Sequence, residues 1–209
     1  MKLCGIPVLL LLLATLSSVP PAPAAESRPA GAEADPLSTP EMRKYAPGAV
    51  ELGWKYFDRG DYETALRRFA MAIRHDKTFA PGYFGMAYVY SVQGKLDDAI
   101  KYYRETLKYD QSYPYTFANL GCALLQKERV DEGLKMLDKA LQLEPRCGEA
   151  HLTYAEYYAQ EKDWKKAEES ANKAITYGQK LDPEFRKLLK THGATLRAET
   201  DASAGNRPH

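Results

Sequence analysis

The stretch Gly60–Phe69 reads GDYETALRRF, and the stretch Gly94–Tyr103 reads GKLDDAIKYY. Laid one under the other, they share a turn-forming glycine, an alanine (Ala65, Ala99) and an aromatic ring (Phe69, Tyr103), at an offset of 34 residues. The same offset carried onward reaches ERVDEGLKML at Glu128–Leu137 and KDWKKAEESA at Lys162–Ala171. Four in-phase units follow, 46–79, 80–113, 114–147 and 148–181. Spacing of the i, i+4, i+7 kind, as in Tyr83, Ala87 and Tyr90, predicts a helix in the first half of each unit. The small-large-small series Ala65, Phe69, Ala72 predicts a second helix, because small residues recur where helices approach closely and large ones where a gap is filled. Pro47, Pro81, Pro114 and Pro145 fall at the seams. None interrupts a predicted helix, where it would cost about 3 kcal/mol.

The unit resembles the tetratricopeptide repeat, a pair of antiparallel helices with the pattern W-x2-L-G-x2-Y followed by A-x3-F and a closing proline. The first unit supplies Leu52, Gly53, Tyr56, Ala65, Phe69 and Ala72; the second keeps Tyr90 and Ala99. The third has Phe117, Leu120, Gly121, Leu124, Leu137, Ala140 and Pro145, with Gly133 where alanine is usual, and the divergent fourth keeps Ala155, Tyr158, Ala167 and Ala174. The resemblance implies an all-α fold, an α-solenoid of four helix-turn-helix repeats. Beyond it, Asp182 reads as an N-cap with Pro183 and Glu184 in the first turn and Phe185, Leu188 and Leu189 on one face. The last repeat of a stack leaves an apolar face open, so residues 182–198 are expected to be a C-terminal capping helix.

The ends of the chain differ from its middle. One positive charge at Lys2, an apolar run from Ile6 to Leu16 and the small-residue stretch ending Ala22-Pro23-Ala24 read as a secretory signal peptide over 1–24, cleaved before Ala25. The run is shorter than the roughly 20 residues that span a bilayer, so no stable membrane span is expected after processing. Residues 25–45, with Pro29, Pro36 and Pro40 among Ala, Glu and Ser, read as a flexible linker, and 199–209 as a disordered tail. Export into a bacterial periplasm is the expected localisation; secretion, or anchoring by an uncleaved N-terminal segment, is the alternative.

Of 209 residues, 44% are apolar and 27% charged, enough for one continuous core. Lys and Arg total 29 against 28 for Asp and Glu, a balance that offers no electrostatic footprint for nucleic acid. His75, His151, His192 and His209 fall on separate elements without helical ligand spacing, so no metal site and no cofactor is expected. Gly94-Lys95 is followed by Leu96, not the Ser or Thr of a phosphate loop. The carboxylate pairs Asp97-Asp98, Asp131-Glu132 and Glu168-Glu169 open second helices, where the helix dipole favours them, and no catalytic residue is expected. A bridge between Cys122 and Cys147 is not expected, since lateral and axial offsets between their helices exceed the roughly 7 Å limit on Cα separation, and both read as unpaired thiols.

The resemblance also implies a ligand face, a concave groove lined by the first helix of each repeat. Here that face carries Trp54, Phe57, Phe84, Tyr88, Tyr115 and Leu125. The first four are expected to be surplus to helix packing and free to give contact area. Some members clamp a ligand's terminal carboxylate with Lys, Asn and Arg; Asn119 occupies such a position without basic companions. The expected function is an exported, non-catalytic adaptor that holds a segment of a protein or peptide partner, an envelope protein, in this groove. The alternative is a self-assembling structural scaffold of the cell envelope, a homo-oligomer.

Overall fold

The computed structural model of the chain describes residues 39–198. The expected signal peptide, most of the linker and the tail 199–209 lie outside the described residues. The described chain runs through a short 3-10 helix Arg43–Tyr45, then α1 (Ala46–Asp58), α2 (Tyr62–His75), α3 (Ala80–Val92), α4 (Leu96–Tyr109), α5 (Pro114–Gln126), α6 (Val130–Leu143), α7 (Gly148–Gln160), α8 (Trp164–Thr176) and α9 (Pro183–Thr191). No strand occurs among the described residues. First helices start at 46, 80, 114 and 148 and second helices at 62, 96, 130 and 164, so the 34-residue period of the sequence is the period of the backbone. Residues 39–45, placed in the linker by composition, are structured: Met42 N–H donates to Thr39 O, and the Tyr45 ring packs on His75 at 6.0 Å.

Each unit turns on the same hydrogen bond. The N–H of Asp61, Lys95, Arg129 and Asp163 donates to the carbonyl of Tyr56, Tyr90, Leu124 and Tyr158 respectively, five residues back, at 2.9–3.0 Å. This C-terminal closure needs a left-handed residue just before the donor. Gly60 and Gly94 supply it with φ of 77° and 72°, whereas Glu128 and Lys162 adopt φ of 59° and 60° with a side chain in place. A left-handed non-glycine residue costs roughly 1–2 kcal/mol, offset in part by the lower chain entropy of its unfolded state. Glu128→Gly and Lys162→Gly are therefore each expected to raise stability by roughly 0.5–1 kcal/mol in urea titrations; a fall in midpoint would show that these turns are not strained.

The second helices begin on different caps. Asp61 accepts from Thr64 N–H at 3.0 Å and Asp163 from Lys166 N–H at 3.2 Å, while Lys95 and Arg129 give no side-chain cap and acidic pairs fill the first turns of α4 and α6 instead. Glu168-Glu169 does not share that position. It falls a turn later, and Glu168 accepts from the N–H of Thr195.

Inner helices α1, α3, α5 and α7 touch one another in succession, while α2, α4 and α6 pack on the inner helix of their own unit and of the next. That asymmetry makes the inner row the concave side of the stack. Helix pairs close through small residues: an added Cβ at Gly53 would lie 2.5 Å from the Phe69 ring, and one at Gly85 2.4 Å from the same ring. Gly133, the departure from the repeat pattern, is explained likewise, since a Cβ there would meet Leu125 Cγ at 2.7 Å.

The capping helix is shorter than its sequence suggests. Asp182 caps it, accepting from the N–H groups of Glu184 and Phe185, and it ends at Thr191 as Gly193 turns left-handed with φ of 86°. Residues 194–198 then run as a non-helical strap along α8. Asn172 grips it at both ends of its amide, donating to Thr195 O and accepting from Arg197 N–H, and Arg197 reaches Thr176 Oγ1 at 2.9 Å. Ala194 and Leu196 pack on the same core cluster as Phe185 and Leu189. At the foot of the cap the Trp164 and His192 rings lie parallel, 3.7 Å apart.

Candidate functional site

The inner helices bring four of the expected groove residues into one cluster. Trp54 and Phe57 are on α1, and Phe84 and Tyr88 are on α3. The rings of Trp54 and Tyr88 sit 5.6 Å apart, Phe57 and Tyr88 5.4 Å, and Phe84 and Tyr88 6.2 Å. The edge-to-face angles of the first two contacts are the arrangement that ring quadrupoles favour. Tyr115 on α5 joins through a residue that sequence reasoning passed over, Tyr113, whose ring lies 5.7 Å from Phe84 and 5.0 Å from Tyr115. A ladder Phe57, Tyr88, Phe84, Tyr113, Tyr115 thus crosses three repeats. The sequence signal for Tyr113 was its place in the 34-residue series Phe79, Tyr113, Cys147, Leu181, large or apolar at every seam.

Not every ring is surplus to packing. Trp54 is 9% exposed and Phe84 4%, and Trp54 also meets Phe69 at 5.0 Å, so both belong to the core. The reason is the convergence of α1 and α3, which closes the deeper part of the wall. Phe57, Tyr88 and Tyr115 are half-buried and form its accessible rim. Leu125 is turned into the repeat's own core, over Gly133 and beside Leu137. Asn119 is half-buried, and its amide donates to Tyr115 O at 2.9 Å, a bond back to its own helix.

Beyond the ladder the seam between the third and fourth repeats holds a buried polar group. The Cys147 thiol donates to Glu149 Oε2 at 3.8 Å, and burial holds the Glu149 carboxyl above the usual carboxylate range. Cys147 is a free thiol and so does not bridge Cys122. His75 and His151 sit on α2 and α7, with His151 Nε2 directed at Pro145 O at 3.0 Å, and no group of His, Cys, Asp and Glu among the described residues is arranged to hold a metal ion. No helix among the described residues is long and apolar enough to cross a membrane.

Burial lifts the phenols of Tyr103, Tyr113 and Tyr154 well above the usual tyrosine range, and Tyr154 is held protonated further by donating to Asp138 Oδ1 at 2.6 Å. Burial likewise pushes Tyr83 up to about 12, and the Cys147 thiol up to about 12. These groups stay protonated in the folded chain, whereas in the unfolded chain they ionise from about pH 8.5 to 10. Their contribution to stability is complete below that range and is lost as pH rises through it and beyond. Urea midpoints should therefore fall steeply between about pH 9 and 11, with part of the tyrosine absorbance change arriving only on unfolding. A midpoint flat across that interval would contradict the burial of these groups.

Two family models described as tetratricopeptide repeat match the chain, over residues 50–115 and 124–190. The chain belongs to the tetratricopeptide-repeat family. Among solved structures it is similar to TTC0263, a thermophilic tetratricopeptide-repeat protein of Thermus thermophilus, at 22% identity over 71% of this chain and 84% of that one, with a TM-score of 0.61. It is similar to Pseudomonas aeruginosa pilF at 22% identity over 73% and 71%, again with a TM-score of 0.61. A third likeness is to MamA, at 17% identity over 63% and 77%, with a TM-score of 0.54. At such identities the likeness is one of fold. No curated protein matches the chain. Stacked repeats of this family present extended concave surfaces to protein partners, and a protein–protein interaction role follows from the fold.

Proposed function

We propose that this chain is an exported, non-catalytic adaptor whose concave groove holds a segment of another protein, an envelope protein of the bacterial periplasm. The observation that carries the groove reading is the aromatic ladder across α1, α3 and the start of α5, with Phe57, Tyr88 and Tyr115 half-buried on the inner row. Rings fixed by their neighbours offer contact area at little entropic cost. Export is supported by the Ile6–Leu16 run and the Ala22-Pro23-Ala24 site. Mass spectrometry of protein from its native host is expected to find an N-terminus at Ala25, and recovery of intact Met1 would count against cleavage.

The groove is tested with Phe57→Ala, Tyr88→Ala and Tyr115→Ala, with Tyr109→Ala, an exposed ring on α4, as control. Each groove variant should keep its helical circular dichroism and lose at least tenfold in capture of its envelope partner, about 1.4 kcal/mol, while the control binds as wild type. Equal losses across all four variants would remove the groove from the interaction.

One observation favours the scaffold reading. Leu52 is 40% exposed, although Met86 and Leu120 at the same register are 8% and 2% exposed under the preceding repeat. Among the described residues, the N-terminal end therefore leaves this position of its stacking face partly uncovered. Light scattering over a wide concentration range tests it, and a constant monomer mass would dismiss self-assembly.

A further inference from the structure

The strap that follows α9 lies in a slot on α8, the outer helix of the last repeat, and its seating shows what that slot reads. Two side chains of α8 hold it, chiefly by its backbone. Glu168 accepts from the N–H of Thr195 at 2.9 Å, while Asn172 donates to the carbonyl of Thr195 at 2.9 Å and accepts from the N–H of Arg197 at 2.8 Å. Ala194 and Leu196 pack on the cluster of Phe185 and Leu189, whereas Thr195 and Arg197 are exposed. That alternation is the one of an extended strand, and backbone bonds at i and i+2 with apolar side chains at i−1 and i+1 are how a docked strand is recognised. We propose that this face of α8 is a peptide-binding site, separate from the concave groove, which the chain fills with its own residues 194–198 and which takes in their place an extended segment of another polypeptide, with a small apolar residue and a Leu, Ile or Met two apart. The inference does not rest on the groove reading.

Three features of the slot point beyond the strap itself. The bonds from Glu168 and Asn172 go to backbone atoms, which any segment possesses, so they give the chain's own strap no preference over another of the same pattern. The strap is also easily released. It begins at Gly193, left-handed with φ of 86°, and its side-chain bond to α8 joins two exposed residues, the Arg197 guanidinium and Thr176 Oγ1. Surface segments with few buried apolar contacts open at little cost in free energy. Finally, the strap underfills its slot: a cavity of about 430 Å³ lies beside it, lined by Glu169, Asn172, Lys173, Thr176, Tyr177 and Arg197. A segment with a larger side chain at the place of Arg197 gains contacts there that the strap lacks, and these offset the roughly millimolar effective concentration that tethering gives the strap.

The test uses the full chain, isotopically labelled, and an unlabelled peptide of the strap's own sequence, GATLRA from Gly193 to Ala198. The Leu196→Gly, Arg197→Pro double variant of the chain loses the apolar anchor and the N–H that Asn172 accepts, so its slot stands vacant. In nuclear magnetic resonance titrations read at the backbone amides of α8, the peptide is expected to bind this variant at least tenfold more tightly than wild type, about 1.4 kcal/mol. Adding Asn172→Ala should return the affinity to the wild-type level. Equal affinity for wild type and double variant, or full affinity kept after Asn172→Ala, overturns the site. A second peptide, carrying Arg197→Tyr to fill the cavity, tests the wild-type chain directly and decides the matter should the double variant not fold. It is expected to displace the strap, seen as movement of the Thr195 amide, and a Thr195 amide unmoved at millimolar peptide overturns the proposal. A Thr195 amide that moves with protein concentration alone would assign the slot to the strap of a second copy and overturn the choice of a foreign segment.

Discussion

Gly85→Ala is expected to rank among the most damaging single substitutions in this chain, although it adds one methyl group. The new Cβ would stand 2.4 Å from two atoms of the Phe69 ring, Cδ1 and Cε1, and Gly53 already closes on the same two atoms, where a Cβ would lie 2.5 Å from Cε1. The ring is fully buried and is held edge-on by Trp54 at 5.0 Å, so it has no room to retreat. Overpacking of a tight core costs typically 1–3 kcal/mol and sometimes more. Removing the ring should be worse still: Phe69→Ala leaves a cavity among three helices, at about 3–5 kcal/mol, or a fall in Tm of roughly 6–20 °C. The informative measurement is the pair. Gly85→Ala combined with Phe69→Leu should be less destabilised than the sum of the two single changes, because the smaller side chain makes way for the methyl group. Strict additivity in urea titrations would show that the two sites do not compete for the same space.

Truncation after Leu181 is the second large effect. It deletes α9 and the strap, exposing the face of α8 now covered by Phe185, Leu189, Ala194 and Leu196. Full burial of a side chain such as Phe or Leu is worth roughly 1.5–3 kcal/mol, and in a stack held together by nearest neighbours the end repeat has no second source of cover. A loss of several kcal/mol, or insolubility, is expected. Truncation after Gly193 separates the contributions, since it removes only the strap with its bonds to Asn172, Glu168 and Thr176, and its cost should be clearly smaller. An unchanged Tm after the longer deletion would mean that the cap does not dock.

Periodicity made the fold legible. A 34-residue repeat with proline at the seams leaves little choice of helix boundaries, and each inner helix begins where that repeat begins. The site was legible only in part, for a physical reason. Register tells which face of α1 or α3 a side chain takes, and it placed Trp54, Phe57, Phe84 and Tyr88 correctly on the inner row. It does not tell how far neighbouring helices converge, and that convergence takes Trp54 and Phe84 into the core while leaving Phe57 and Tyr88 at the rim. Leu125 was misread for a related reason: Gly133, a small residue on the facing helix, opened room that drew it inward. The strap had no signal of period or pattern, because Asn172 grips backbone atoms, which every sequence shares.

The chain has two tryptophans, and the fold assigns them to opposite ends of the stack. Trp54 lies among Phe57, Phe69, Phe84 and Tyr88, where excitation of nearby tyrosine passes readily to the indole, whereas Trp164 lies flat against the imidazole of His192. Emission from one end thus reports melting through loss of energy transfer, and emission from the other reports undocking of the cap through loss of that stacked neighbour. The protein carries its own pair of optical probes, able to show without any label whether the stack comes apart from the front, from the back or all at once.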